Sequence, residues 1–269
     1  MGIFDFFRKK KKAENKDNER EGGLFAAFIL LDEAEVSMDK FIEDLKNDWG
    51  IEVADDDSSR SDNNMAFEID GMTAAFGLMP APVPNGEAVE NAKTNYRWPD
   101  AVKVAQEHKA HLLAAILPGE HTFAEAGIAL VKLCSCALKQ EHATGIYTAG
   151  TVFAPDFYID FADVYLHNDM YPIMNLVFFG LYSRDNGKTF CSYTYGLKSC
   201  FGKDEIEVID SQHEPQELID FMADVASYVV EGDVLLQDGE TIGFTEEQKL
   251  PITKSKSEVL GGETLKIGF

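Results

Sequence analysis

The stretch MNLVFFGLYSRDNGKTFCSYTYGL, residues 174–197, decides the fold. Two apolar, aromatic-rich runs, residues 174–183 and 189–197, flank Asp185, Asn186 and Gly187. Asn-Gly supplies the positive φ that a tight hairpin turn needs, so the stretch predicts two antiparallel strands.

Upstream, residues 24–31 form a continuous apolar run of strand length, suited to a sheet interior. Ser37 is a helix N-cap, and Met38, Phe41, Ile42 and Leu45 follow it at the spacing of an amphipathic helix that Gly50 ends. Residues 55–64 form a polar, acidic loop without the ligand spacing of an EF-hand. Residues 65–70 and 72–78 are strands that meet at Asp70-Gly71, and residues 80–84 are a stiff proline connector. Helices follow at 87–96 and 99–107, the second with Pro99 in its first turn, then a buried strand at 112–117. Thr122 and Glu125 make a capping box. The helix it opens runs to about residue 139 and is apolar almost all round, which places it in the core. A strand at 145–153 and a helix at 156–167 lead into the hairpin.

Downstream, residues 205–209 alternate as a strand. Pro215 opens a helix whose buried stripe is Leu218, Phe221, Met222, Val225 and Val229, and Gly232 closes it. Short strands near 241–244 and 264–269 complete the chain. This order is not a regular alternation of strand and helix, which argues against a doubly wound parallel sheet. It predicts an α+β fold with mixed, largely antiparallel sheets and packed helices. Two ferredoxin-like split β-α-β units, residues 24–117 and 112–231 sharing a strand, accommodate it. Residues 1–23 are expected to be a disordered basic tail, and residues 24–269 a single domain with two subdomains meeting near 112–145.

The 269 residues include 24 Lys and Arg against 47 Asp and Glu, a formal net charge of −23. Residues 8–12, RKKKK, hold five of the cations, so the rest of the chain carries −28. Such a body repels phosphate backbones and attracts basic proteins. Phe4, Phe6 and Phe7 precede the basic run, so residues 1–12 also suit weak contact with a membrane surface. No run is long enough for a membrane-spanning helix, and the Phe-before-Lys order is the reverse of a secretory leader. The four cysteines, Cys134, Cys136, Cys191 and Cys200, lack zinc-knuckle spacing and suit reduced thiols of a cytoplasmic protein.

No phosphate loop, nucleophile elbow or zinc-protease motif is present, so neither catalytic residues nor a cofactor are expected. His108, His111 and His121 fall close together in sequence and are the metal-ligand candidates, Zn²⁺ being the ion that imidazoles with a carboxylate suit. His108 and His111, three apart, are expected to share a helix face. Tyr193 and Tyr195, two apart on one strand face, are the ligand-binding candidates.

Two groups of segments carry a resemblance. The first is LMPAPVP (78–84), Trp98-Pro99 and HKAHLL (108–113). The second is Tyr195-Gly196-Leu197, FGKDEIEV (201–208) and DGETIG (238–243). Together they resemble the bacterial domain-of-unknown-function family 4261, over about residues 24–269. The resemblance implies no activity, cofactor or catalytic residue. It implies that the proline loop, His108, His111 and the turn at 238–243 are family features. The expected function is that of a non-catalytic acidic protein that binds a basic protein partner. A metal-assisted hydrolase using the histidines, and a small-ligand sensor at the tyrosine pair, are the alternatives.

Overall fold

β1 (Phe25–Leu31) is apolar throughout because both of its faces are covered. Ala27, Ile29 and Leu31 enter the main core, while Leu30 enters a second, smaller core on the other face. A computed structural model describes residues 23, 25–53, 60–245 and 247–269. The expected tail, apart from Gly23, and residues 55–59 of the expected acidic loop lie outside the described residues.

α1 (Met38–Trp49) is closed at both ends by local chemistry. The Ser37 side chain accepts the Lys40 N–H, and Gly50 adopts the left-handed conformation while its N–H reaches the Leu45 and Lys46 carbonyls. β2 (Asn64–Ile69) and β3 (Met72–Met79) turn at Asp70-Gly71, both with positive φ. After the proline connector come α2 (Glu87–Ala92) and α3 (Ala101–Glu107), then β4 (Ala110–Leu117) and α4 (Phe123–Ala137). The chain continues with β5 (Ala143–Thr148), β6 (Thr151–Phe153), α5 (Pro155–Leu166) and a one-turn α6 (Ile173–Leu176). The second half holds β7 (Phe178–Arg184), β8 (Thr189–Tyr195), α7 (Leu197–Phe201), β9 (Ile206–Ser211) and α8 (Pro215–Glu231). β10 (Thr241–Ile242), β11 (Leu250–Lys256) and β12 (Glu263–Ile267) end it.

The strands form two six-stranded sheets, ordered β2-β3-β4-β1-β5-β6 and β10-β11-β12-β9-β8-β7. Every pairing is antiparallel except β9 with β12. The fold is α+β with largely antiparallel sheets. β4 and β5 both run antiparallel to β1, which lies between them, and α4 connects them, so they form a split β-α-β unit. The strands between 178 and 211, grouped with β4 in the expected second unit, belong to the other sheet.

Several boundaries differ from the sequence reading. The strand expected at 145–153 is a hairpin, turned by Ala149 and Gly150 at positive φ. The strand expected from residue 174 starts at Phe178, because residues 173–176 make a helical turn first. Pro99 lies ahead of α3 and not within it. β11 was not anticipated. It holds a proline and two lysines and buries only Ile252, so it has no apolar alternation to recognise.

α4 is the centre of the molecule. It packs against β1, β4 and α1 on one side and meets α5, α6, α7 and α8 on the other. Its capping box is formed, with Thr122 and Glu125 each bonding the other's backbone N–H. α8 covers β7 and β8, and one continuous apolar core joins the two sheets. α2 and α3 cover the opposite face of the first sheet and enclose the second core with Leu30, Tyr147 and Val152.

Candidate interaction surface

The three histidines do not converge. His108 is the C-cap of α3 in extended conformation, and His111 lies inside β4, so they share no helix face. His108 Nδ1 donates to the Ala105 carbonyl at 2.6 Å, and its Nε2 accepts the Val83 N–H at 2.8 Å. His111 Nδ1 bonds the Ala81 carbonyl at 2.8 Å, and its ring meets Phe28 edge-on. Burial holds both imidazoles below their ordinary value. They act as clamps that fix the proline connector, which has few N–H groups of its own, onto the end of α3 and the face of β4.

His121 lies past the other end of β4, against Gly71 and 3.6 Å from Glu125. Six strand residues follow His111 in β4, and at roughly 3.3 Å each they carry the chain about 20 Å away before His121 is reached. Among the described residues no group of three or more His, Cys, Asp or Glu is arranged to hold a metal ion. The assignment of His108, His111 and His121 as metal ligands is therefore corrected to a structural role for the first two.

Tyr193 and Tyr195 do share a strand face. Tyr193 lies across Gly180, with Phe178 at 6.2 Å and Tyr182 at 6.5 Å between ring centres. Tyr195 covers Gly150 in the β5–β6 turn and is 43% exposed. Ser192 and Thr194, which alternate with the two tyrosines along β8, are fully buried on the opposite face. The pair therefore covers Gly180 in β7 and Gly150 in the β5–β6 turn.

A different surface gathers charge and apolar area together. α5 presents Phe157, Phe161 and Tyr165 as a half-buried row, with ring centres 4.5 and 5.7 Å apart. The spacing of four residues puts the rings one above another on a helix. Beside Phe157 opens a cleft of about 400 Å³, bounded by Ile219 and Gln216 of α8, Leu181 of β7, and Tyr96 and Arg97. Arg97 is turned onto its neighbour, its Nε donating to the Tyr96 hydroxyl at 2.9 Å.

The two helices beside this cleft carry Asp156, Asp160 and Asp163 on α5, and Glu217, Asp220, Asp224 and Glu231 on α8, all exposed and without a single Lys or Arg. Asp220 and Asp224 lie near the ring row: burial first, and then these two carboxylates, push the Tyr165 phenol above its ordinary range against the opposing pull of Arg97. Burial, then the neighbouring Asp220, likewise raises the Asp224 carboxyl. A larger hollow of about 510 Å³ lies near Trp49 and Tyr171, but its walls mix signs, with Lys132 beside Asp48 and Glu231, and His167 stacks on Trp49. The sequence held the signal for the cleft, two amphipathic helices with acids and no cations. Nothing in it said that they would be neighbours.

These features define an α+β protein with an aromatic, acid-flanked cleft. Residues 193–268 match the family described as Domain of unknown function (DUF4261). The match runs from within β8 to just past β12 and includes α8. It covers the second group of resembling segments, whereas residues 78–113, which carry the first, lie outside it. No curated protein and no solved structure matches the chain.

Proposed function

We propose that the protein is a non-catalytic interaction module that docks a basic protein partner at the cleft between α5 and α8. One observation carries the reading: exposed carboxylates on both helices, with no Lys or Arg on either, beside the row of aromatic rings that α5 presents, in a cleft that Arg97 lines with its head turned onto Tyr96. Rings give an apolar seat, and the carboxylates select for cations and speed encounter. The same negative field, −28 outside residues 8–12, disfavours nucleic acid. The three buried thiols, Cys134, Cys136 and Cys191, suit a reducing compartment such as the cytoplasm. No helix among the described residues is long and apolar enough to cross a membrane.

A labelled peptide of lysine and phenylalanine is a sufficient probe. Its anisotropy on titration with the full chain should report binding that weakens steeply with added NaCl. Asp220→Asn with Asp224→Asn should weaken it about tenfold, the equivalent of about 1.4 kcal/mol. Affinity indifferent to salt, or unchanged in the double variant, would overturn the proposal.

A further inference from the structure

Five of the chain's 24 cations stand in one run, residues 8–12, directly after Phe4, Phe6 and Phe7. That segment has the chemistry the cleft calls for, rings followed by cations, and it belongs to the same molecule. We propose that residues 1–12 occupy the α5–α8 cleft of their own chain, the three phenylalanines on the row Phe157, Phe161 and Tyr165 and the basic run facing Asp220 and Asp224. The segment is thus an internal competitor that an external partner must displace. This rests on the reading of the cleft as a docking site for basic chains.

Reach is sufficient. The described chain begins at Gly23, whose N–H donates to the Cys200 carbonyl and which packs on Phe123. Phe201 beside it meets Tyr171, only five residues beyond the C-terminal end of α5. α5, with 12 residues, is about 18 Å long at 1.5 Å per residue. Residues 13–22 can span about 33 Å when extended, so the basic segment can lie along the whole helix.

Concentration and charge favour this occupant over a lipid surface. A tether of this length holds the segment at an effective concentration in the millimolar range. An anionic membrane, in contrast, attracts residues 8–12 but repels the −28 body to which they are attached. Docked on the body, the same cations are offset by the nearest carboxylates.

Two measurements on the full chain test this. Zero-length carbodiimide coupling, performed on a mixture of isotopically light and heavy protein, should join Lys9, Lys10, Lys11 or Lys12 to Asp220 or Asp224 within one chain. Links found only between chains, or none to α5 and α8, would overturn the proposal. The second measurement uses a labelled synthetic peptide of residues 1–12 as the probe. A full-length variant with Phe4, Phe6 and Phe7→Ser and residues 9–12 changed to Glu should bind it about tenfold tighter than the unaltered chain. That factor is expected when the cleft is free in about a tenth of the unaltered molecules.

Equal, measurable affinity in the two chains would sink internal docking yet leave the docking site standing, whereas no binding to either would sink both. Vesicles of phosphatidylserine and phosphatidylcholine supply the competing outcome. If the unaltered chain binds them as tightly as the free peptide does, the segment is not held by the cleft and the proposal fails.

Discussion

His108 joins two segments through one ring. Its two nitrogens bind the end of α3 and the proline connector, and its neighbour His111 binds that connector from β4. Replacing His108 by Ala leaves the Val83 N–H and the Ala105 carbonyl without these partners in a buried place, so a loss of about 2–4 kcal/mol is expected in urea denaturation. The pH sign follows from the lowered value of the folded imidazole. The unfolded ring takes up its proton near 6.5 and the folded ring only at lower pH. The contribution is therefore whole above about pH 6.5 and is lost as pH falls through the folded value. His108→Gln, which keeps an acceptor for Val83, should show a smaller fall in urea midpoint between pH 7.5 and pH 5 than the unaltered chain. At this scale the sequence was legible where a residue acts on its own neighbours, as with Ser37, Gly50, Thr122 and Glu125. The histidines were misread because their partners lie on the proline connector, and closeness in sequence says nothing about which side of a strand a ring will face.

Helices and hairpins followed from periodicity wherever one element has one buried face. α1 and α8 were legible for that reason, α4 through its capping box and unbroken apolar run, and the β7–β8 pair through its Asn-Gly turn. β11, almost wholly exposed, gave no such signal. The cleft depends on Phe157 of α5 and Ile219 of α8 reaching the same place, which long-range packing decides and neither helix does alone. α8 also carries a cost that bears on its role. Asp220 and Asp224, four apart on one face, repel each other, and this repulsion adds to burial, the larger cause, in raising the Asp224 carboxyl. Asp220→Asn with Asp224→Asn should leave thermal stability unchanged or raise it, within about 0.5 kcal/mol, even though it weakens peptide binding. Loss of binding together with loss of fold would show instead that the acids serve the helix.

The whole molecule carries far more negative charge than its ion pairs neutralise. Most of its pairs, Lys40 with Asp44 and Lys93 with Glu90 for example, are exposed and contribute little each. Self-repulsion of a −23 chain should dominate, so melting temperature should rise between about 20 and 300 mM NaCl as the screening length shrinks. A fall would mean that local pairs outweigh the general field. The α+β class and the sign of this field were open to reading from composition and order alone. The assignment of strands to two sheets was not, since only long-range pairing decides it.

The placement of α4 has a consequence for taking the protein apart. Ten of its residues are buried, some by the first sheet and the rest by helices that belong with the second. Cutting the chain in the bend that follows it would hand one fragment a greasy rod with one flank stripped, and leave the other fragment without the surface its own helices were shaped to cover. Separately produced halves should thus be sticky and short-lived, and become tractable only when made together.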